Sequence, residues 1–533
     1  MTPARRKLPI GIQTFAKLRE DGCYYVDKTP LILRVIDEGT HFFLSRPRRF
    51  GKSLLIDTIG ELFAGNSALF QGLYAEDHWD WSVRHPVIRL SFGGGVVRDR
   101  TELDRRIESL LHRQQVALGV TCRAGSDAVE CFGNLIEQAH AMTGRRAVVL
   151  VDEYDKPILD NLTRPEIARE IRDGLRNLYS VIKDMDAHIR FAFLTGVSKF
   201  SKVSIFSGLN NLRDITVSSE YSALCGYTQS DLETVFAPEL DGLDRDEIRR
   251  WYNGYNWTGE SVYNPFDVLL LFQERAFRPW WFETGTPTFL IDLLTQRGYF
   301  SPHLARRQTS LELLSSFDAE HIDSDALLWQ TGYLTFHAVE QPLTGYWVYT
   351  LGYSNHEVET SLNAALLIGY GVDGQRAFAN RLRLLRLLQS GNGAELRELF
   401  EAFFASIPHD WYRNNPIARY EGYYASVFYS YFAALGLAIV LEDATRYGRI
   451  DMTVRAPGHL YLFEFKVVEL EPDGQALAQI KSRGYADKYR AEGVPVHLIG
   501  VEFSRQTRQV VGFEIETLMA PRPFTPAPSP SSP

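Results

Sequence analysis

The stretch that decides the fold is His41–Ser53, HFFLSRPRRFGKS. His41–Ser45 is apolar enough for a buried strand, and Leu54–Phe63 continues as an amphipathic helix. The loop between them ends in Gly51-Lys52-Ser53. A strand that feeds a helix through such a loop turns backbone N–H groups toward phosphate. A lysine there reaches the outer oxygens, and the next hydroxyl ligates Mg²⁺. Lys52 and Ser53 fill these two roles, with Arg48 and Gly51 as further nucleotide contacts. The general pattern GxxxxGK[ST] starts with glycine where this chain has Arg46, so the loop backbone departs from it there.

About a hundred residues on, Ala147–Pro157 reads AVVLVDEYDKP: a buried strand with acids at its C-terminal end. That end of a parallel sheet is where ligands bind. Asp152 is placed to hold Mg²⁺ through water, Glu153 to polarise an attacking water, and Asp155 to serve the structure. A third strand, Arg190–Thr195, runs into Gly196-Val197-Ser198-Lys199. It would lie between the other two, with Thr195 or Ser198 sensing a terminal phosphate and Lys199 or Lys202 touching it. Val87–Phe92 supplies another strand, and the alternation with helices from Thr40 to Thr216 is an α/β pattern.

The chain of 533 residues is too long for one core, so several domains are expected. Its 45% apolar and 23% charged residues are ordinary for a soluble protein. A net charge of −9 excludes a globally basic nucleic-acid binder but not a local basic strip. Cys23, Cys122, Cys131 and Cys225 lack CxxC spacing, which speaks against zinc or disulfides and for a reducing, cytoplasmic setting. Met1–Leu8 lacks the apolar core of a signal peptide. Tyr423–Leu441 runs nineteen residues without a charge. Its tyrosines, serines and Gly436, with acids rather than Lys/Arg at its flanks, read as a buried helix then a buried strand, not a membrane span. Residues 227–355 are mostly helical with a strand near Tyr333–Ala338, and Ala520–Pro533 is a Pro/Ser-rich disordered tail.

A second constellation lies at Glu421, Asp451, Glu464 and Lys466. Strand-like runs at Gly448–Val454 and Tyr461–Val467 flank the turn signal Ala456-Pro457-Gly458-His459. Centring a tight hairpin on Pro457-Gly458 sets Asp451 opposite Glu464, with Glu464 and Lys466 on one face. Opposed carboxylates in an apolar sheet repel, and a divalent cation removes that penalty. Asp451 and Glu464 are therefore candidate metal ligands, and Lys466 a group that stabilises charge in the transition state.

These residues resemble a known combination. LPIGIQTF (Leu8–Phe15), YVDKT (Tyr25–Thr29), SRPRRFGKSL (Ser45–Leu54), VDEYDKP (Val151–Pro157) and TGVSKFSKVSIFSGLNN (Thr195–Asn211) resemble the AAA-ATPase-like family, whose loop also carries RPRRFGKS. Trp251–Tyr255 and Tyr263-Asn264-Pro265 continue the match. Glu421 on a helix, Asp451, and Glu464-x-Lys466 resemble the PD-(D/E)XK nuclease superfamily, with Gln479 and Tyr485 on the following helix as accessory positions. The resemblance implies an α/β fold in which a P-loop NTPase parallel sheet carries a helical, winged-helix-like lid. A second α/β domain of restriction-endonuclease type follows. The expected divisions are 1–226, 227–355, 356–519 and the tail 520–533.

The resemblance also implies ATP and Mg²⁺ as cofactors and nucleic acid, DNA ahead of RNA, as partner, with no membrane and room for a homo-oligomer. Glu153, Glu421, Asp451, Glu464 and Lys466 would be catalytic. Arg48, Gly51, Lys52, Ser53, Asp152 and Thr195 would bind nucleotide, and Lys481, Arg483, Lys488 and Arg490 would form a basic strip. The alternative is a nucleotide-switched binding protein with an inactive nuclease-like domain. Retention of all four hairpin-site residues favours the enzyme.

Overall fold

Short apolar runs covered on both faces make the central strands of the first sheet. In the computed structural model, which describes residues 5–199, 211–285, 290–291, 293–294, 304, 307–315, 323–369, 373–405, 421–507 and 509–519, five strands lie side by side. They are β1 (His41–Ser45), β2 (Val87–Ser91), β3 (Ala147–Asp152), β4 (Ile189–Gly196) and the short β5 (Arg213–Asp214), of which β1, β3 and β4 are of this kind. All pair parallel in the order β2-β3-β4-β1-β5.

Parallel neighbours require crossovers. The helices α1 (Lys52–Ala64), α2 (Arg100–Leu118), α3 (Ala128–Thr143) and α4 (Pro165–Asp184) stand between the strands in sequence. Their ends are written locally. Asp99 accepts from Glu102 N to start α2, and Asp127 accepts from Val129 N and Glu130 N to start α3. The outcome is that β1 and β3 flank β4, with their C-terminal ends on one edge.

The same compact unit, Met1–Thr286 with Arg306–Val358, contains the lid. After α5 (Pro265–Glu274) and α6 (Trp280–Gly285) come β6 (Arg307–Thr309), α7 (Leu311–Ser315), α8 (Ser324–Thr331), β7 (Leu334–Leu343) and β8 (Tyr346–Tyr353). A strand, two helices and a hairpin, in sheet order β6-β8-β7, is the winged-helix arrangement. The sequence reading stopped at one strand there. α8 is buried from Ser324 to Gln330, because it packs onto the core rather than facing solvent. Gln330 Oε1 accepts from Lys199 N at 2.8 Å.

A buried carboxyl pair anchors this lid. Asp267 on α5 and Glu357 on α9 (His356–Gly369) are both fully buried, and both accept from Trp281 N, at 2.7 and 3.0 Å. Burial first, then its partner's charge, raises Asp267 well above the carboxylate range; burial raises Glu357 to about 7. Such a group stabilises the fold fully below its unfolded pKa near 4.3 and loses that contribution as pH rises through about 7. Glu357→Gln does not titrate and keeps an acceptor for Trp281 N. Its melting temperature relative to wild type is expected to rise by about 5 °C between pH 5 and pH 8. A difference that stays constant across thermal melts at those pH values would rule out the raised pKa of Glu357.

The second compact unit is Pro287–Ala305 with Glu359–Pro533. It contains α10 (Gly374–Ser390), α11 (Gly393–Ala405), α12 (Glu421–Ala433), β9 (Ala438–Thr445), β10 (Gly448–Ala456), β11 (His459–Val468), α13 (Gln475–Ser482), β12 (Val496–Ser504) and β13 (Val510–Leu518). The sheet runs β13-β12-β11-β10-β9, parallel only between β11 and β12. Period-2 alternation sorts β11. Phe463 and Phe465 meet Phe428 of α12, while Leu460 and Leu462 join Ile480 of α13.

Three expectations change. Tyr423–Leu441 divides into α12 and the start of β9, but β9 is a half-exposed edge strand, since nothing pairs with its outer side among the described residues. Among the described residues no helix is long and apolar enough to cross a membrane. Cys122 and Cys131 form a disulfide, with Cα atoms 5.1 Å apart, because the segment between α2 and α3 folds back on itself. The argument for a reducing setting from cysteine spacing therefore falls, although Cys23 and Cys225 are free and buried. Ala520–Pro533 and Lys202 lie outside the described residues.

Candidate nucleotide and metal sites

The loop after β1 is shaped by Arg46. Its side chain turns inward, fully buried, and donates to the carbonyls of Ser45, Thr216 and Tyr221 at 2.8, 3.0 and 3.1 Å. Its guanidinium lies 3.9 Å from the Trp257 ring centroid. Arg46 thus holds the loop from behind. Two residues then adopt left-handed backbone, Arg49 with φ 67° and Gly51 with φ 85°, and α1 starts. Lys52, 7% exposed, donates to the carbonyls of Arg46 and Pro47 at 2.9 and 2.8 Å. Burial lowers its pKa, against the pull of Asp152 and Glu153.

Ser53 lies beside Asp152 at the end of β3, near enough to pull its pKa down. Burial raises Asp152, and its Oδ1 is buried with no hydrogen-bond partner among the described groups. A hydroxyl beside a carboxylate with an unclaimed oxygen is a hard, oxygen-only donor set that fits Mg²⁺. Glu153 follows with φ 52°, a left-handed conformation rare outside glycine, and burial followed by Asp152's charge raises it. Its Oε2 would sit 3.1 Å from a Cβ at Gly93, so glycine there leaves the carboxylate room. Arg48, Gly51, Lys52, Ser53, Gly93 and Glu153 share a cavity of about 470 Å³.

Other expected contacts separate from this cavity. Thr195 is fully buried and donates to Leu44 O at 2.8 Å, so its hydroxyl ties β4 to β1 and does not line the cavity. Ser198 is committed to Asp155, whose carboxylate also accepts from Val197 N and Ser198 N. Asp155 thereby ties the end of β4 to the segment after β3. Lys199 is ion-paired with Asp214. The sequence reading missed Gly93; its signal was the triple glycine Gly93–Gly95 directly after β2.

In the second unit β10 and β11 pair from Met452–Phe463 to Ala456–His459, the register of the Pro457-Gly458 turn, where Gly458 has φ 79°. Continued by one pair, that register sets Asp451 opposite Glu464, but there the ladder stops. Asp451 Oδ2 accepts from Phe465 N at 2.8 Å instead. The β9 pairing also skips Asp451, at Glu442 with φ 45°. Asp451 therefore stands where the β11 ladder ends and the β9 ladder skips a pair.

Glu464 is 1% exposed. Its Oε1 accepts from the Gln479 amide and lies 3.3 Å from Lys466 Nζ. Its Oε2 is buried with no partner among the described groups. Burial, then Asp451's charge, raises Glu464 to about 7 against Lys466 and Gln479. Asp451 is likewise raised by burial. A buried carboxyl with an unclaimed oxygen beside a half-buried one fits a divalent cation, and one or two carboxylates suffice for Mg²⁺. Among the described residues no group of three or more His, Cys, Asp or Glu gathers that could hold a metal, so this site offers two carboxyls. Glu421 opens α12, but its side chain lies outside the described residues.

Two accessory expectations are corrected. Gln479 lies on α13, but Tyr485 starts a separate 3-10 turn, Tyr485–Glu492, and is a buried core residue. Three of the four cations of the basic strip are ion-paired. Lys481 pairs with Glu516, Lys488 with buried Asp443 and Arg490 with Asp487, while Arg483 donates to Tyr447 O. Lys481, Lys488 and Arg483 meet partners from distant strands or turns that helix periodicity does not reveal, while Arg490 and Asp487 pair at i,i+3 spacing.

Comparison with known proteins agrees with this division. Residues 9–206 match the family model "Predicted AAA-ATPase" and residues 419–513 match "PD-(D/E)XK nuclease superfamily". An "Uncharacterized protein in vnfD 5'region" of Azotobacter chroococcum mcd 1 is 66% identical over 520 residues, covering 97% of this chain and 100% of that one. The Aeropyrum pernix ORC1 protein, solved in complex with DNA, aligns at 12% identity over 66% of this chain and 96% of its own. Its TM-score of 0.27 is too low to carry an argument. The chain belongs to the family of that Azotobacter protein, with a predicted AAA-ATPase domain ahead of a PD-(D/E)XK nuclease superfamily domain.

Proposed function

We propose that the protein binds and hydrolyses ATP in its first unit and cleaves phosphodiester bonds in DNA in its second, with the nucleotide regulating cleavage. The observation that carries the nuclease reading is the buried, unclaimed Oε2 of Glu464 beside Asp451. Mg²⁺ bound there would supply a water ionised near neutral pH and charge to offset the departing oxyanion. Asp451 and Glu464 hold the ion, and Gln479 fixes the rotamer of Glu464. Lys466 places its ammonium beside the same carboxylate, where it balances charge that develops on the phosphate.

In the first unit Lys52 holds the outer phosphates, and Ser53 and Asp152 hold the accompanying Mg²⁺. Glu153 orients a water; its raised pKa follows from burial and makes it a stronger base once ionised. Glu153→Gln is expected to slow phosphate release about a hundredfold or more while the Kd for ATP stays within about twofold. Loss of binding rather than turnover would assign Glu153 another role.

The test of the whole reading is incubation of the full chain with linear, circular and single-stranded DNA and with RNA, with and without ATP and Mg²⁺. Mg²⁺-dependent scission of DNA whose rate changes with ATP is expected. ATP binding with no scission of any substrate would establish the switched binding protein instead.

A further inference from the structure

The phosphate loop is gripped from the lid. Trp281 is 1% exposed, and its indole Nε1 donates to Arg48 O at 3.0 Å across 233 residues of sequence. Around it, Tyr255 meets Phe50 edge-on with centroids 4.7 Å apart, and Gly332 packs so close to Pro47 that a Cβ would approach to 2.6 Å.

The indole has little freedom. Its own backbone N–H is held by Asp267 Oδ1 and Glu357 Oε1, and Glu357 Oε1 also accepts from Phe282 N at 3.0 Å. Its ring packs against Tyr333 and Tyr255, with centroids 5.1 and 6.2 Å away. The first turn of α6 is thus fixed on two buried carboxyls, and the ring N–H has one direction left.

What that direction does follows from peptide geometry. In a trans peptide the carbonyl and the next N–H point opposite ways. Tying Arg48 O to the lid therefore turns the Arg49 N–H away from the lid. Arg49 holds φ 67°, a conformation that a side-chain-bearing residue keeps only under constraint. Both Arg48 and Arg49 line the cavity that contains Lys52 and Ser53. We propose that Trp281 is a positioning residue of the nucleotide site: its indole N–H sets the Arg48–Arg49 peptide so that Arg49 N–H donates to a phosphate oxygen of a bound nucleoside triphosphate. This rests on the phosphate-loop reading of residues 46–53.

The test is Trp281→Phe, which keeps an aromatic ring against Tyr333 and loses the donor. Calorimetry should show about a tenfold weaker Kd for ATP and for ADP, with adenosine binding unchanged, because only phosphate contacts are affected. General damage to the site would weaken all three. Equal ATP affinity in Trp281→Phe and wild type overturns the role, provided Lys52→Ala loses ATP. If Lys52→Ala also binds normally, the phosphate-loop reading itself has failed. Should Trp281→Phe not fold, fluorotryptophan-labelled wild type decides. With the other eight of its nine tryptophans assigned by single replacement, the Trp281 ¹⁹F resonance should shift on adding ATP and not on adding adenosine. No shift with ATP overturns the proposal.

Discussion

Lys52→Ala is expected to raise the Kd for ATP at least about a hundredfold, some 2.7 kcal/mol of binding free energy, in calorimetry on the folded protein. The lysine is not the exposed loop charge that a surface turn would carry. It is 7% exposed and gives protons to the carbonyls of Arg46 and Pro47. Two consequences follow. The ammonium already lies inside the curve of the loop, so a phosphate reaches it without the loop unfolding. Alanine also leaves two carbonyls without their donor, at about 1–3 kcal/mol for buried groups, and the melting temperature should fall a few degrees. Both effects are measurable on one sample, since circular dichroism separates loss of fold from loss of binding. ATP affinity equal to wild type would remove the phosphate-loop assignment, whatever happens to stability.

Asp451→Asn is expected to lower nuclease activity by about a hundredfold or more, the upper scale on which even the outer partners of a metal site act. Asparagine retains an oxygen for Phe465 N, so the end of the ladder keeps its hydrogen bond. The charge that helps raise Glu464 disappears, and the pKa of Glu464 should move down from about 7 toward its ordinary range. Metal-free stability at pH 8 should therefore rise, because the half-buried charge beside buried Glu464 is gone, while stabilisation by added Mg²⁺ should vanish. Lys466→Ala is expected to keep Mg²⁺ stabilisation and lose most of the rate, as its charge matters chiefly in the transition state. ATP hydrolysis should persist in both variants. Undiminished cleavage by Asp451→Asn would move the chemistry elsewhere in the chain.

Much of this was readable from local pattern. The runs at His41–Ser45 and Ala147–Asp152 stand out because a strand buried on both faces must be apolar throughout. The hairpin register from Met452–Phe463 to Ala456–His459 was readable because Pro457-Gly458 leaves few ways to close the hairpin, but the ladder ends one pair short of Asp451 and Glu464. The β13 strand was missed because Val510–Leu518 mixes Gly512, Glu514 and Glu516 among its apolar residues and lies half exposed at the sheet edge.

What the sequence determined by itself is therefore the periodic and the local: two α/β regions, the loop that starts α1, the acids at the end of β3, and the hairpin that carries Asp451 and Glu464. Only the tertiary structure decided which polar groups are already spent. Arg46 proves to be a buried brace because the carbonyls it satisfies include those of Thr216 and Tyr221, some 170 residues away. Thr195 is consumed by Leu44 O, the four cations near α13 by partners including Glu516 and Asp443, and Cys122 by Cys131. Conversely, Asp152 Oδ1 and Glu464 Oε2 are left without a partner among the described residues, and Arg48 O is claimed by Trp281. The physical reason is that propensity and periodicity are properties of neighbours in sequence. The pairing of a buried donor or acceptor depends on whichever distant segment the fold brings within about 3 Å of it.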